Sequence, residues 1–117
     1  DDRIILISDS MEATGMKDGQ YELGGQPVNV TGNLATLTDG TIAGSATNLM
    51  DCVRTAVLKM GIPLESAIKC AAVNPAREIG IDDRYGSIAP GKYANIILLR
   101  DTLETQAVFL EGQPICL

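Results

Sequence analysis

A lone carboxylate directly behind an apolar run is the first feature of this sequence that could do chemistry. Residues 4–7 are all aliphatic, and Asp9 follows them after a single serine. An unbroken aliphatic run is typical of a strand buried on both faces of a parallel sheet, and the catalytic residues of β/α barrels stand at the carboxyl ends of such strands. Asp9 is therefore a candidate general base or metal ligand. The alternative is an aspartate that caps a turn or the next helix.

A loop of glycines and hydroxyl side chains is the second candidate. Residues 39–45 contain Gly40 and Gly44 and lead into a predicted helix. Backbone N–H groups and the dipole at a helix N-terminus favour anions and oxygen-rich ligands. The glycine spacing matches neither a phosphate-binding P-loop nor a dinucleotide-binding fingerprint. A ligand-binding loop and a plain capped loop are both compatible with this pattern.

The third candidate region carries two cations. Residues 74–77 contain Arg77, and residues 86–96 contain Lys92. By their residue types these segments are a helix end, a turn and the beginning of a strand. Arg77 and Lys92 could bind an anion; the alternative is that both are paired or solvated surface charges.

Apolar spacing predicts the elements that must position these residues. Residues 3–8 are expected to form a strand whose parallel neighbours lie outside this chain. Glycine-containing turns divide residues 19–37 into short antiparallel hairpin strands. A helix is predicted to begin after Ser45 as its N-cap and to stop at Gly61, because apolar residues recur there at helical spacing.

The second half combines helix and strand signals. Residues 64–73 predict an alanine-rich helix with an ion pair between Glu65 and Lys69. Asn74 precedes a proline and is expected outside that helix, with a short new helical turn running through residue 79. Three strands are predicted in the tail, at residues 93–99, 107–110 and 115–117.

The composition excludes several classes of partner and site. The chain has 117 residues and a net charge of −6, from 15 acidic and 9 basic side chains, so it would repel a nucleic-acid backbone. It contains no histidine, which excludes a Ser-His-Asp triad, a Cys-His pair and any histidine-ligated metal site built from this chain alone. The longest apolar run is the one at residues 4–7, far too short to cross a membrane.

The three cysteines favour a reducing compartment. Cys52, Cys70 and Cys116 form no CxxC pair, and each is expected to be a small buried hydrophobic residue in the cytoplasm. The first residue is not methionine, so the expectation is a processed or truncated polypeptide.

Two groups of motifs resemble a known family. The tail contains Asn-Pro-Ala-Arg and then Gly-Ser-Ile-Ala-Pro-Gly-Lys-Tyr-Ala-Asn-Ile, which resembles the C-terminal signature of the amidohydrolase superfamily. Ile-Ser-Asp-Ser-Met-Glu-Ala-Thr-Gly, Gly-Gly-Gln-Pro-Val and Asp-Gly-Thr-Ile-Ala-Gly-Ser-Ala resemble its N-acetylglucosamine-6-phosphate deacetylase family. The tail motif is shared by many amidohydrolases, whereas the two glycine-containing motifs are more specific. The resemblance runs from Ile4 to Gly112.

The resemblance implies an α/β fold that is only part of a larger one. It corresponds to the C-terminal part of a metal-dependent β/α (TIM-like) barrel plus strands of a small β-sandwich. Residues 1–90 would belong to the barrel, with its last strand at 3–8, a hairpin excursion at 19–37 and closing helices at 45–80. Residues 91–117 would be sandwich strands. A barrel takes about 250 residues, so this chain would be its C-terminal third and inactive alone.

The resemblance also implies roles for particular residues. Asp9 matches the family's catalytic proton donor and acceptor, and Ile42, Ala43 and Gly44 match the stretch whose backbone lies against the sugar. The family often has alanine where Ser10 stands, which leaves the role of Asp9 intact. Residues 74–77 and 86–95 would be structural.

The implied reaction needs groups that this chain does not supply. The family removes the acetyl group of N-acetylglucosamine 6-phosphate, giving acetate and glucosamine 6-phosphate. It uses a divalent metal, usually zinc, held by a glutamate and two histidines on earlier strands. Its phosphate-binding residues also lie upstream, and the intact enzyme is expected to be a homodimer.

Two other functions remain compatible with the sequence. One is a different amidohydrolase, such as a dihydroorotase or an imidazolone hydrolase, although Gly-Gly-Gln-Pro-Val argues against it. The other is a non-catalytic α+β module for binding or assembly. That module would explain the missing histidines, but it would leave the aliphatic run at residues 4–7 without parallel partners.

Overall fold

The computed structural model describes residues 1–116 of the chain, which divide into two compact units. One unit is Leu6–Met60, and the other combines Asp1–Ile5 with the chain from Gly61 onward. The domain boundary expected at residue 91 refers to a larger protein and stays a prediction.

The unit Leu6–Met60 is built on a four-stranded antiparallel sheet. Its strands are β1 (Gly19–Leu23), β2 (Gln26–Thr31), β3 (Leu34–Leu37) and β4 (Ile42–Ser45), each paired with the next in sequence order. Gly24 and Gly25 form the turn between β1 and β2 with φ values of 57° and 82°, which glycine adopts without steric cost. The glycine spacing thus predicted the hairpins between residues 19 and 37.

One face of this sheet carries an aliphatic core. Val28, Val30 and Ala35 are buried on alternating positions of β2 and β3. Met11, Ala13 and Ala46 complete the buried cluster, with Tyr21, Leu37 and Ala43 at its margin. Met11 lies two residues after Asp9, and Ala46 directly follows β4. Packing of these two side chains in the core therefore holds the Asp9 segment beside the end of β4.

The first helix begins later than the sequence predicts. Helix α1 spans Leu49–Leu58, and its N-cap is Asn48, whose side-chain oxygen accepts a hydrogen bond from Asp51 N at 2.9 Å. The prediction of Ser45 as N-cap is wrong, because Ser45 is the last residue of β4 and its hydroxyl instead accepts from Thr47 N at 2.9 Å. The loop expected at residues 39–45 is likewise strand from Ile42 onward.

The second unit contains one continuous helical stretch of mixed pitch. Helix α2 (Leu64–Ile68) passes into a π-helical turn (Lys69–Val73) and then into α3 (Asn74–Glu78). Asn74 is helical, with φ −64° and ψ −47°, which corrects the expected break before Pro75. The proline is tolerated because it lies in the first turn of α3, where its missing N–H is not needed, and a wide turn precedes it.

Two side chains of this stretch bind the first residues of the chain. The Asn74 amide donates to the carbonyl oxygens of Asp1 and Ile4, each at 2.7 Å. Lys69 Nζ lies 2.5 Å from Asp2 Oδ1, in place of the expected pair with Glu65. The hydrogen bond from the Lys69 ammonium, helped by its charge, lowers the pKa of the Asp2 carboxyl.

The strand predicted at residues 3–8 is not formed within residues 1–116. No ladder covers these residues, and Ile4 and Ile7 are 58% and 71% exposed. A parallel strand needs neighbouring strands to satisfy its N–H and C=O groups, and the described residues provide none at this position. Assignment of residues 3–8 to a barrel strand stays a prediction.

A three-stranded antiparallel sheet closes the described chain. It consists of β5 (Ile96–Leu99), β6 (Thr105–Leu110) and β7 (Gln113–Ile115), paired in that order. The strand predicted at residues 93–99 starts at Ile96, and the strand predicted at 107–110 starts at Thr105. The strand predicted at residues 115–117 is found two residues earlier, at Gln113–Ile115. Leu117 is outside the described residues.

Lys92 fastens the loop between α3 and β5. Its ammonium donates to the carbonyl of Asp82, to the carbonyl of Tyr85 at 3.3 Å and to the Ser87 hydroxyl at 2.8 Å. The Tyr85 ring also packs on Tyr93, with centroids 5.1 Å apart. Lys92 thus serves the loop rather than an external anion, and Arg77 is an exposed side chain.

The cysteines differ in exposure. Cys70 is buried and Cys52 half-buried, and burial raises the pKa of the Cys52 thiol, with a smaller contribution from Asp51. Cys116 is exposed, so the expectation that all three are buried is wrong for this residue. Among the described residues, no helix is long and apolar enough to cross a membrane.

Candidate functional site

The structure brings Asp9 next to β4, although 32 residues separate Asp9 from Ile42 at the start of that strand. Ser45 N donates to the Asp9 carbonyl at 3.3 Å, and Met11 N donates to the Ser45 carbonyl at 2.9 Å. These bonds form a short parallel bridge between Ser10 and Ser45. The two segments singled out for chemistry, residue 9 and residues 42–44, therefore lie side by side in one unit.

Asp9 itself has an uncommon backbone conformation. Its φ is 50°, in the left-handed region where non-glycine residues are rare and aspartate is among the more tolerant. The residue is exposed, and its carboxylate makes no hydrogen bond or ion pair within residues 1–116. Left-handed residues of this kind are enriched at functional sites, where neighbouring structure holds them in place.

A β-bulge interrupts the register of β4 at the candidate substrate stretch. Ala35 is paired with Gly44 and Thr36 with Ile42, so Ala43 is the extra residue without a partner in β3. Bulges are common beside active sites, where they redirect side chains and end regular pairing. A Cβ built on Gly44 would lie 4.0 Å from the Asp9 carbonyl oxygen, which places this glycine directly against the candidate catalytic residue.

Hydroxyl groups around Asp9 form a small hydrogen-bonded cluster. Ser10 Oγ contacts Ser8 Oγ at 2.8 Å and the Thr47 carbonyl oxygen at a short distance. Sequence reasoning did not identify Thr47, because the contact joins positions that are 37 residues apart. The serines on both sides of Asp9 were the one local sign of such a cluster.

The described residues do not by themselves fit a divalent-metal site. No group of three or more histidine, cysteine, aspartate or glutamate side chains converges anywhere in residues 1–116. Asp9 could contribute a single oxygen ligand, whereas a catalytic zinc ion takes three ligands from the protein.

Other proteins resemble this chain over most of its length. A family model described as "Amidohydrolase family" matches residues 28–115. An N-acetylgalactosamine-6-phosphate deacetylase of Escherichia coli O157:H7 is 38% identical over 96% of this chain, which spans 30% of that relative. An N-acetylglucosamine-6-phosphate deacetylase of Bacillus subtilis is 37% identical over 94% of this chain, which spans 28% of it.

A solved structure of a deacetylase also resembles this chain over most of its length. The crystal structure of N-acetylglucosamine-6-phosphate deacetylase from Pasteurella multocida matches 97% of this chain with a TM-score of 0.91 at 27% identity. This chain covers 30% of that structure. A relative in Escherichia coli K12 is also 38% identical, and the chain spans 67% of its length.

These likenesses confirm the expected fold class and the resemblance to the deacetylases. The fold is an α/β part of a barrel amidohydrolase together with strands of its small β-sandwich. Because the family model matches well over half of the residues, the chain belongs to the amidohydrolase family.

Proposed function

We propose that this chain is part of an N-acetylglucosamine-6-phosphate deacetylase and supplies its general acid–base residue, Asp9. The reaction would hydrolyse the acetamide of the sugar to acetate and glucosamine 6-phosphate. The names of the relatives support the substrate. The observation that carries the role of Asp9 is its exposed, unpaired carboxylate beside the bulged strand β4. Since the chain spans about 30% of most of these relatives, the activity would belong to the longer protein.

Asp9 suits proton transfer because of what surrounds it. No cation within residues 1–116 is paired with its carboxylate, and its exposure leaves room for a water molecule. Such a carboxylate accepts the proton of an attacking water and returns it to the nitrogen of the departing amine. The hydrogen bond from Ser45 N to the Asp9 carbonyl oxygen keeps Asp9 beside β4 while its carboxylate accepts the proton and returns it.

Residues 42–44 would form part of the sugar-binding surface. Ile42 is 70% exposed, and Ala43 and Gly44 are half-buried beside it. The bulge leaves Ala43 without a register partner in β3, so its backbone is the part of β4 most available to a ligand. We propose that the N-acetyl sugar lies against this backbone, with its amide next to Asp9.

The remaining parts of the site are proposed to lie outside this chain. A divalent ion, which we propose is zinc, would be held by a glutamate and two histidines elsewhere in the longer protein, and the sugar phosphate would also be bound there. The same resemblance leads us to propose a homodimer in the cytoplasm.

Substitution of Asp9 by asparagine tests the proposed role. In the longer protein, D9N should lower kcat for N-acetylglucosamine 6-phosphate by roughly 10²–10⁴-fold, because the amide cannot accept the proton. Metal content should stay near that of the wild type. The matched control is D101N, since Asp101 is also an exposed aspartate without a side-chain partner in the described part of the chain. Turnover of D9N close to the wild-type rate would refute the role assigned to Asp9.

The names of the relatives also support a second candidate substrate, N-acetylgalactosamine 6-phosphate. The Escherichia coli O157:H7 protein named for N-acetylgalactosamine 6-phosphate is 38% identical, slightly more than the Bacillus subtilis protein named for the gluco epimer. Asp9 would perform the same step on either sugar, because the epimers share the acetamide. Measuring kcat/KM for both 6-phosphates in parallel decides between them.

A further inference from the structure

We propose that Ser10 is a positioning residue that holds Asp9 in its productive orientation through a hydrogen bond to the Thr47 carbonyl. The proposal rests on the role assigned to Asp9 under the proposed function. It adds a residue whose own side chain performs no chemistry and whose effect is transmitted through the backbone.

The orientation of Asp9 must come from its backbone. Its carboxylate has no hydrogen-bond partner within residues 1–116, so no side-chain contact there fixes its direction. Its φ of 50° is intrinsically unfavourable and persists only where the flanking chain is held. Whatever fastens the residues next to Asp9 therefore also determines where the carboxylate points.

Three hydrogen bonds join these residues to Ser45 and Thr47. Two of them are main-chain bonds, from Ser45 N to the Asp9 carbonyl and from Met11 N to the Ser45 carbonyl, and they need only a backbone N–H at positions 11 and 45. The third is made by the Ser10 hydroxyl with the Thr47 carbonyl. The Ser10 bond is thus the side-chain component of the set and the one that a substitution can remove.

The direction of this hydrogen bond follows from counting donors. A serine hydroxyl has one hydrogen to donate, and the Thr47 carbonyl can only accept. Ser10 therefore donates to Thr47, and Ser8, whose oxygen lies 2.8 Å away, donates to Ser10. The proton of Ser10 is engaged and does not take part in the reaction.

The acceptor is itself held in place. Thr47 N donates to the Ser45 hydroxyl at 2.9 Å, and the neighbouring Ala46 N donates to the Asn33 carbonyl at 3.2 Å. Asn33 lies in the turn between β2 and β3. The Ser10 bond thereby connects the Asp9 segment to residues that are themselves hydrogen-bonded to β4 and to the turn between β2 and β3, which is what a positioning contact requires.

The test compares two substitutions of Ser10 in the longer protein with N-acetylglucosamine 6-phosphate. S10A should lower kcat by about 3- to 10-fold, the usual effect of one lost hydrogen bond, with KM nearly unchanged. S10T keeps the hydroxyl and has room for its methyl group because Ser10 is exposed, so it should restore most of the rate. The control is S66A in α2, whose hydroxyl has no partner within the described residues.

A double-mutant cycle distinguishes positioning of Asp9 from any other effect. If Ser10 acts through Asp9, S10A should have no further effect on the residual rate of D9N. An equal loss in both backgrounds, a wild-type kcat for S10A, or an S10T rate as low as that of S10A would overturn the proposal. Full activity of D9N would refute the proposed function itself, so the two failures are distinguishable.

Discussion

Gly44 and Gly86 differ in whether the structure has space for a larger side chain. Gly44 has space for a methyl group, because a Cβ there would meet nothing closer than 4.0 Å. Gly86 has none, since its Cβ would lie 2.7 Å from Ala76 Cβ and 3.0 Å from the Ala72 carbonyl oxygen, and its φ is 85°. The fold therefore requires glycine at position 86 and not at position 44.

This contrast gives a prediction for the proposed sugar surface. In the longer protein, G44A should change the free energy of unfolding by less than about 0.5 kcal/mol. Its KM should nevertheless rise by roughly tenfold, because the added methyl group would lie 4.0 Å from the Asp9 carbonyl oxygen and from the Met11 sulfur, next to the backbone that the sugar is proposed to contact. G86A should instead lose about 1–3 kcal/mol of stability through overpacking and backbone strain. Urea unfolding and steady-state kinetics of both variants measure these effects.

The opposite pattern would contradict the proposed surface. An unchanged KM for G44A would mean that the sugar does not approach this backbone, whatever the role of Asp9. A stable G86A would mean that the loop held by Lys92 can move away from α3.

At the residue scale, sequence reasoning identified the candidate residues but not their arrangement. Asp9 could be singled out because a carboxylate behind an aliphatic run is a local pattern. The bridge from Ser10 to Ser45 and the bulge at Ala43 could not, because both arise from tertiary pairing that no local pattern in residues 42–45 encodes.

At the element scale, the start of α1 depends on Asn48. Its side-chain oxygen accepts from Asp51 N at 2.9 Å and satisfies one of the free N–H groups of the first turn. N48A should therefore lower the stability of the longer protein by about 1 kcal/mol. N48S, which keeps an acceptor, should recover most of that loss.

Thermal unfolding of the three proteins checks this prediction. S45A is an informative comparison, since the sequence alone would place the cap at Ser45. A larger loss for S45A than for N48A would show that the helix begins nearer to β4 than the structure has it.

Turn chemistry made the hairpins predictable, whereas tertiary contacts decided the helix boundaries. Gly24, Gly25 and Gly32 all have positive φ, so the sequence marks these turns directly. Asn74 was expected to end a helix before Pro75, but the π-helical turn and the bonds from its amide to Asp1 and Ile4 keep it helical. Tertiary contacts here outweigh a local preference.

At the scale of the whole molecule, many large apolar side chains of the described residues are exposed to solvent. Ile7, Ile42, Ile79 and Ile88 are each at least 70% exposed, and many other large apolar side chains of the described chain are more than a third exposed. Isoleucine is among the residues most often fully buried in soluble proteins. Surface of this extent is expected of a chain that covers about 30% of a larger relative.

The isolated 117-residue chain should therefore self-associate or unfold with weak cooperativity. Sedimentation velocity over a range of concentrations measures the first property, and a thermal melt followed by circular dichroism measures the second. The longer protein, examined under the same conditions, is the control. A sharp two-state melt of a monomer would contradict the expectation.

The amide of Asn74 has a consequence for the order of folding. It bonds to carbonyls that lie 73 and 70 positions earlier in the chain, so the unit that contains it is interrupted by the whole of Leu6–Met60. Bringing such distant positions together costs chain entropy before any contact compensates for it, and long-range contacts form slowly. The hairpins of β1 to β4 join neighbouring residues and have no such delay. Folding should proceed from the middle of the sequence outward, with the two flanks meeting last.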